Sequence, residues 1–385
     1  MIGLMWAALG VLGGIAVTTG LLPVADARQV AFTRGGPIMV FLVAITVLAE
    51  LADQAGVFDA AAGVCARVAR GSTLRLFLVV AALATVITIG MSLDTTAVLL
   101  TPVVLALAFR LGLSPMPFAF LVVWLANTAS LLLPVSNLTN LLAVQHLHLS
   151  TVGFAARMVL PEVVAVVITV SYLALVYRRD LTGRYELPLR LPIPDRVLFW
   201  ICAASCAFLA PMVLVGVAPW VAATISAAVC VAAFGWRQRA ELSWSLIPWR
   251  IVIFTEGLFL LVTTIARHGG SALLGDLIGH STLAATATAA VSSNAVNNLP
   301  AYLATETVVS PAHPTQLFAV LIGTNTGPLV LLWGSLATIL WQQRCATRGV
   351  IISARRFAAV GLGGVPFVLL GTWAALLIGH GSIRI

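Results

Sequence analysis

Lysine is absent from these 385 residues; all 21 basic residues are arginine. Acidic residues number 13, and charged residues of both signs make up 9% of the chain. A soluble domain carries about a quarter charged residues, so a surface this poor in charge cannot face water. The five cysteines, Cys65, Cys202, Cys206, Cys230 and Cys345, form no CxxC pair and no metal-finger spacing. Cys202 and Cys206 stand four apart on one helical face and read as small packing residues. HExxH, GxSxG, paired aspartates on adjacent spans and a phosphate-binding loop are all missing, which argues against an intramembrane enzyme and against ATP hydrolysis by this chain itself. No cofactor and no metal site is expected. The opening MIGLMWAALGVLGGIAV lacks a basic leader and a clear cleavage site, so it reads as a retained span.

What is present is apolar. Hydrophobic residues make up 61% of the chain and recur in stretches long enough to cross a hydrocarbon core of ~30 Å. The lipid bilayer is the solvent. The net charge of +8 sits in arginines clustered between the spans, a topological signal that does not call for nucleic acid.

The expected fold is an all-α polytopic membrane protein of two inverted repeats. Nine full spans are read at 2–22, 36–52, 116–141, 152–178, 197–217, 219–236, 247–266, 315–341 and 357–379. Segments 73–113 and 281–310 are interrupted by Ser92-Leu93-Asp94-Thr95-Thr96 and by Ser292-Ser293-Asn294-Ala295-Val296-Asn297-Asn298. Backbone freed from a helix is not tolerated against lipid, so both read as re-entrant hairpins with protein-buried tips. On that topology sixteen arginines fall on one face and five (Arg28, Arg34, Arg157, Arg267, Arg384) on the other. The richer face is then cytoplasmic, with the N-terminus inside and the C-terminus outside the cell membrane.

An internal repeat agrees. A shift of 198 places Pro102 on Pro300, Asn127-Thr128 on Asn325-Thr326, and Leu131, Leu133 and Leu138 on Leu329, Leu331 and Leu336. The expected units are 1–178 (hairpin 73–113, broken helix 116–141), a cytoplasmic linker 179–196, and 197–385 (hairpin 281–310, broken helix 315–341). The second unit has two spans before its Pro248 segment and the first has one, so one scaffold helix of the first unit is missing.

Inverted repeats with broken helices place a transport site near the midplane, between the repeats. Four polar stretches are expected to converge there. The tips offer Ser92, Thr95, Thr96, Ser293, Asn294, Asn297 and Asn298; the broken helices offer Asn127, Thr128, Ser136, Asn137, Asn140, Asn325, Thr326 and Ser335. Such side chains both donate and accept, which suits a small hydroxylated solute, and they also serve as glue between helices. Asp94 is the only ionisable group in either tip, and a carboxylate at membrane depth marks an ion or proton pathway. It also suits a helix N-cap. Glu256, within Thr255-Glu256-Gly257, is a second candidate for proton coupling. Glu306 is expected to reach the interface, His146 and His148 to lie in an outer loop, and Glu162 to begin its helix.

The stretches MSLDTTAVLLTPVVLA (91–106), LANTASLLLPVSNLTNLL (125–142), PWRIVIFTEGLFLLV (248–262), SSNAVNNLPAYL (292–303) and IGTNTGPLVLLWGSLATILW (322–341) resemble the arsenical pump permeases, the arsenite efflux branch of the ion transporter superfamily. The resemblance implies a scaffold domain, a mobile transport domain holding both hairpins, and proton-coupled export of arsenite or antimonite. It further implies a homodimer and leaves room for a soluble ATPase subunit. Sodium-coupled di- and tricarboxylate carriers share the superfamily fold and are the alternative; a channel is a more distant one. This chain departs from the pattern where members often carry Asp, having Asn127 and Asn325, and has Leu329 where they carry Lys. Glu256 stands where an uncharged residue is expected, which makes it a candidate for compensation.

Overall fold

The computed structural model describes residues 2–381 apart from 188–192, 194, 270–271 and 311–312. Arg190 and Arg384 of the topology argument lie outside the described residues. The described residues fold into helices joined by short turns.

The first half runs α1 (Ile2–Thr18), α2 (Val24–Arg28), α3 (Gly35–Gln54), α4 (Val57–Val68), α5 (Thr73–Gly90), α6 (Leu93–Thr95), α7 (Thr101–Arg110), α8 (Pro115–Thr128), α9 (Leu138–Leu147) and α10 (Thr151–Val176). A π-helical segment, Gln29–Arg34, joins α2 to α3, making one continuous helix from Val24 to Gln54. The second half runs α11 (Arg196–Leu214), α12 (Pro219–Arg237), α13 (Trp249–Arg267), α14 (Ala272–Ile278), α15 (Thr282–Val296), α16 (Asn298–Glu306), α17 (Pro314–Thr326), α18 (Leu336–Thr347) and α19 (Ala354–Gly381).

Eight of the described helices are long and apolar enough to cross a membrane. This count differs from the nine spans expected: α1, with 17 residues, is not among the eight, two further spans are broken, and two hairpin limbs are added. The stretches 116–141 and 315–341 are each two half-helices around an irregular segment. α8 has 14 residues and α17 has 13, so each ends after ~20 Å, inside the hydrocarbon. Conversely, the limbs of the first hairpin, Thr73–Gly90 and Leu93–Arg110, are each 18 residues long and count as spanning by length alone.

Both hairpins return to the face they enter. α4 packs against α5 and also against α7. In the second, Gly275 lies beside Val308, and Gln316 Nε2 donates to the Gly279 carbonyl at 2.6 Å. The loops of the arginine-rich face also meet one another. Ser72 bridges Arg184, Arg356 lies over the Tyr177 ring, Arg237 pairs with Asp195, and Arg344 with Glu50.

The repeat is visible in the packing. α1 lies on α13 while α12 lies on α3; α5 and α7 pack on α8 as α15 and α16 pack on α17; α10 packs on α19. α11 rests on α12 and α3 and has no equivalent among the described residues of the first half. The helices divide into a scaffold (α1, α2–α3, α11, α12, α13) and a core holding both hairpins. α8 and α17, at the centre of the core, are buried on every side from Pro117 to Thr128 and from Gln316 to Thr326. Polar side chains there cannot reach water and must find partners within the protein.

One landmark of the repeat does not carry structural meaning. Asn127 and Asn325 are equivalent, each one residue from the end of its half-helix. Pro102 lies ten residues beyond the Ser92 break, whereas Pro300 lies three beyond the Asn297 break. The second limb of the first hairpin is the longer one and contains a π-helical segment, Thr96–Leu100.

Candidate functional site

Three of the four breaks end in a side-chain cap. Ser92 Oγ accepts from Thr95 N at 3.2 Å and starts the second limb of hairpin 1. Asn137 Oδ1 accepts from Thr139 N at 3.2 Å, and Ser335 Oγ from Thr338 N at 3.1 Å, starting α9 and α18. Asn297 turns the second tip at φ 89° and ψ 152°, outside the αL basin and in a region that favours glycine, so this tip holds a strained residue and no side-chain cap. These are the N-terminal half-helix ends that the sequence places at the site.

The four polar stretches do converge. A small cavity of about 20 Å³ is bordered by Leu93 and Asp94 of the first tip, Asn137 and Leu138 of the first broken helix, Asn297, Asn298 and Leu299 of the second tip, and Leu336 of the second broken helix. Phe254 and Thr255 of α13 complete it from the scaffold. That volume suits one water or a bare cation rather than a solute. Three of its bordering residues hold a buried oxygen with no hydrogen-bond partner: Asp94 Oδ1, Thr255 Oγ1 and Asn297 Oδ1. Leaving such an atom unpaired costs about 1–3 kcal/mol, so each of the three calls for a hydrogen-bond donor.

Asp94 also borders a second cavity, of about 210 Å³. Its walls are α3 from Phe41 to Glu50, the tip residues Ser92 to Leu99, Val135 and Leu138, Ser245 to Ile251 ahead of and in α13, and Leu340 and Arg344 of α18. Exposed Ser245 and the Glu50–Arg344 pair place its mouth on the arginine-rich face. Asp94 therefore borders both the inlet and the smaller chamber. On the chamber's far side, Asn297 borders an apolar cavity of about 770 Å³ between α1, α13 and the second hairpin.

Many of the expected site residues are engaged as fasteners. Asn325 donates to Asn140 Oδ1 at 3.0 Å and accepts from Thr139 Oγ1 at 2.8 Å. Asn140 also donates to the carbonyls of Ser130 and Leu133. Asn294 donates to the Gly327 carbonyl and accepts from the amides of Val330 and Leu331. Asn298 N donates to Gly334 O, and Asn297 Nδ2 to Trp333 O. Ser136 donates to Ile89 O, tying the first broken helix to the first hairpin. Thr96 shares a hydrogen bond with Thr88, Thr128 accepts from Thr169, and Ser293 and Thr326 bond back to their own helices. Asn127 donates to Val123 O and leaves Oδ1 unpaired at full burial. Ser92 and Thr95 share a hydroxyl–hydroxyl bond on the inlet wall.

Four expectations change. Glu256 does not border either cavity that Asp94 borders; it faces Gly35 of the scaffold, and its neighbour Thr255 meets the chamber instead. The two are adjacent, and a step of one on a helix turns the side chain by ~100°. Glu162 does not begin a helix: it lies in the middle of α10, buried, and its Oε2 accepts from Leu131 N at 2.8 Å inside the first break. Glu306 does not reach the interface; it is 2% exposed, accepts from Tyr302 and pairs with His146, which sits in the last turn of α9 rather than in a loop. Arg344 stands at the inlet's mouth. Thr255 had only its place beside Glu256 to signal it. No sequence signal pointed to Arg344.

The sequence pattern of the family described as CitMHS, citrate transporter, matches residues 1–338. Among curated proteins, the arsenical pump membrane protein of Escherichia coli is 27% identical over 98% of this chain and 94% of its own length. The protein of the same name from Yersinia enterocolitica is 28% identical over 97% and 93%. Among solved structures, the Alcanivorax borkumensis YdaH transporter, described as having an unusual topology, superposes with a TM-score of 0.57 over 94% of this chain and 90% of that one, at 17% identity. That likeness concerns the fold.

Proposed function

The chain belongs to the citrate transporter family, and within that family of secondary transporters we propose that it exports arsenite or antimonite in exchange for protons. The position of Asp94 carries the reading. Asp94 borders both the inlet and the small chamber between the tips, with one carboxylate oxygen unpaired. A carboxylate at membrane depth is costly and is retained where it serves an ion or proton path.

Arsenite at neutral pH is the uncharged trihydroxide, which calls for hydrogen-bond partners and not for a fixed cation. The tip offers the hydroxyls of Ser92 and Thr95 beside Asp94, while the one arginine bordering the inlet is paired with Glu50. The relatives' names point the same way. In this mechanism solute enters from the arginine-rich, cytoplasmic face and settles against the first tip. Asp94 exchanges a proton as the core shifts past the scaffold, and solute leaves on the other side.

Arg344 and the family's own description favour a second reading, sodium-coupled movement of a carboxylate. Everted membrane vesicles separate the two. Arsenite uptake driven by an inside-acid gradient, and lost in Asp94→Asn, supports proton-coupled export. Sodium-driven citrate or dicarboxylate uptake without arsenite flux favours the second.

A further inference from the structure

The repeat relates two basic residues that lie outside the polar tips and breaks. His146 lies in the last turn of α9 and Arg344 in the last turn of α18, and 344 − 146 equals the 198 that relates Leu138 to Leu336 at the starts of the same half-helices. Inversion of the repeats sends them to opposite faces of the core. Arg344 borders the inlet on the arginine-rich face; His146 borders a gap of about 820 Å³ that also contains Arg267, at the far end of α13.

The scaffold answers with one helix. The continuous helix Val24–Gln54 carries Asp26 near one end and Glu50 near the other. They are 50 − 26 = 24 residues apart, hence ~36 Å along the axis, enough to place one carboxylate at each face of the membrane. Glu50 lies 4.0 Å from Arg344 across the scaffold–core boundary. Asp26 borders the opposite gap together with His146, yet no ion pair joins them. Asp26 is held by Arg267 within the scaffold, and His146 by Glu306 within the core, at 3.6 Å.

We propose that Glu50–Arg344 and Asp26–His146 are two alternating latches between scaffold and core, the first made and the second open in this structure. Each core residue is the repeat partner of the other, and each scaffold carboxylate sits at an opposite end of one helix. A shift of the core toward one face draws Arg344 from Glu50 and closes the gap that separates His146 from Asp26. The latches would be mutually exclusive and would mark the two ends of the stroke. This rests on the family's transport activity and not on the choice of solute.

Cysteine pairs test it in membranes: Glu50→Cys with Arg344→Cys, and Asp26→Cys with His146→Cys. The five native cysteines are replaced first and flux of that background is confirmed. If the background fails, the pairs are joined in the native-cysteine chain by a bifunctional thiol reagent, with single substitutions as controls. Both pairs are expected to cross-link, each cross-link to abolish flux, and reduction to restore it. Absence of an Asp26–His146 cross-link while the other pair forms would overturn the proposal. Undiminished flux in either cross-linked protein would do the same. Cross-link yield is read by gel mobility without any solute. Lack of flux in the parent chain therefore indicts the solute assigned above and leaves the yields to decide the latches.

Discussion

Asn325 donates through Nδ2 to Oδ1 of Asn140 at 3.0 Å, joining the broken helices of the two halves at the centre of the core. Both residues are fully buried and each holds further partners, so the pair fastens the repeats together.

Replacing Asn325 by Ala strands Asn140 Oδ1 and the Thr139 hydroxyl. The expected cost is about 1–3 kcal/mol of stability, read by thermal unfolding in detergent. In a double-mutant cycle with Asn140→Ala, the coupling is expected near the ~0.6 kcal/mol average for side-chain bonds between membrane helices, up to ~1.7. Additive losses would show that the pair does not interact.

Glu162 holds the Leu131 amide in the first break. Glu162→Gln keeps an acceptor of similar reach and is expected to keep the fold, whereas Glu162→Leu buries an unpaired N–H and is expected to lose about 1–3 kcal/mol. Equal stability of the two variants would remove the carboxylate's positioning role.

Close approach of backbones fixes where substitutions are tolerated. A Cβ on Gly361 of α19 would sit 2.2 Å from Leu329 O in the second break, and one on Gly323 would sit 2.3 Å from Thr286 O. Gly361→Ala and Gly323→Ala are each expected to cost about 1–3 kcal/mol through overpacking. Gly14→Ala, with nothing within 4 Å, serves as the neutral control. Melting temperatures of the three variants check this.

Outside the membrane, Asp195 caps α11 through the amides of Val197 and Leu198 and accepts from Arg237 Nε at 2.7 Å. The Arg237 hydrogen bond, with help from those amides, holds its carboxyl below the ordinary Asp value. The folded value is depressed, so the contribution is complete above the unfolded value near ~3.9 and is lost as pH falls through the folded one. The melting temperature in detergent is expected to fall below ~pH 4 in the native chain. Asp195→Asn, which keeps the cap and discards the charge, is expected to flatten that dependence.

The sequence by itself determined the membrane class, the repeat, the two interrupted hairpins and the two broken helices. These follow from local properties: apolar length against bilayer thickness, and Ser, Asn, Gly or Pro wherever a helix must stop. The arginine-rich loops were likewise readable, and the structure brings them together at Ser72–Arg184, Tyr177–Arg356 and Glu50–Arg344. Tertiary structure alone decided which polar side chains are spent on fastening and which remain open. Asn325 and Asn297 look alike in sequence, yet one has its amide oxygen occupied and the other, bordering the chamber, has an amide oxygen with no partner. Glu162 and Glu306 were hidden for the same reason, since their partners, Leu131 and His146, are 31 and 160 residues away. Hydrogen bonding between distant segments depends on where helices cross, and crossing is set by packing that no local window contains.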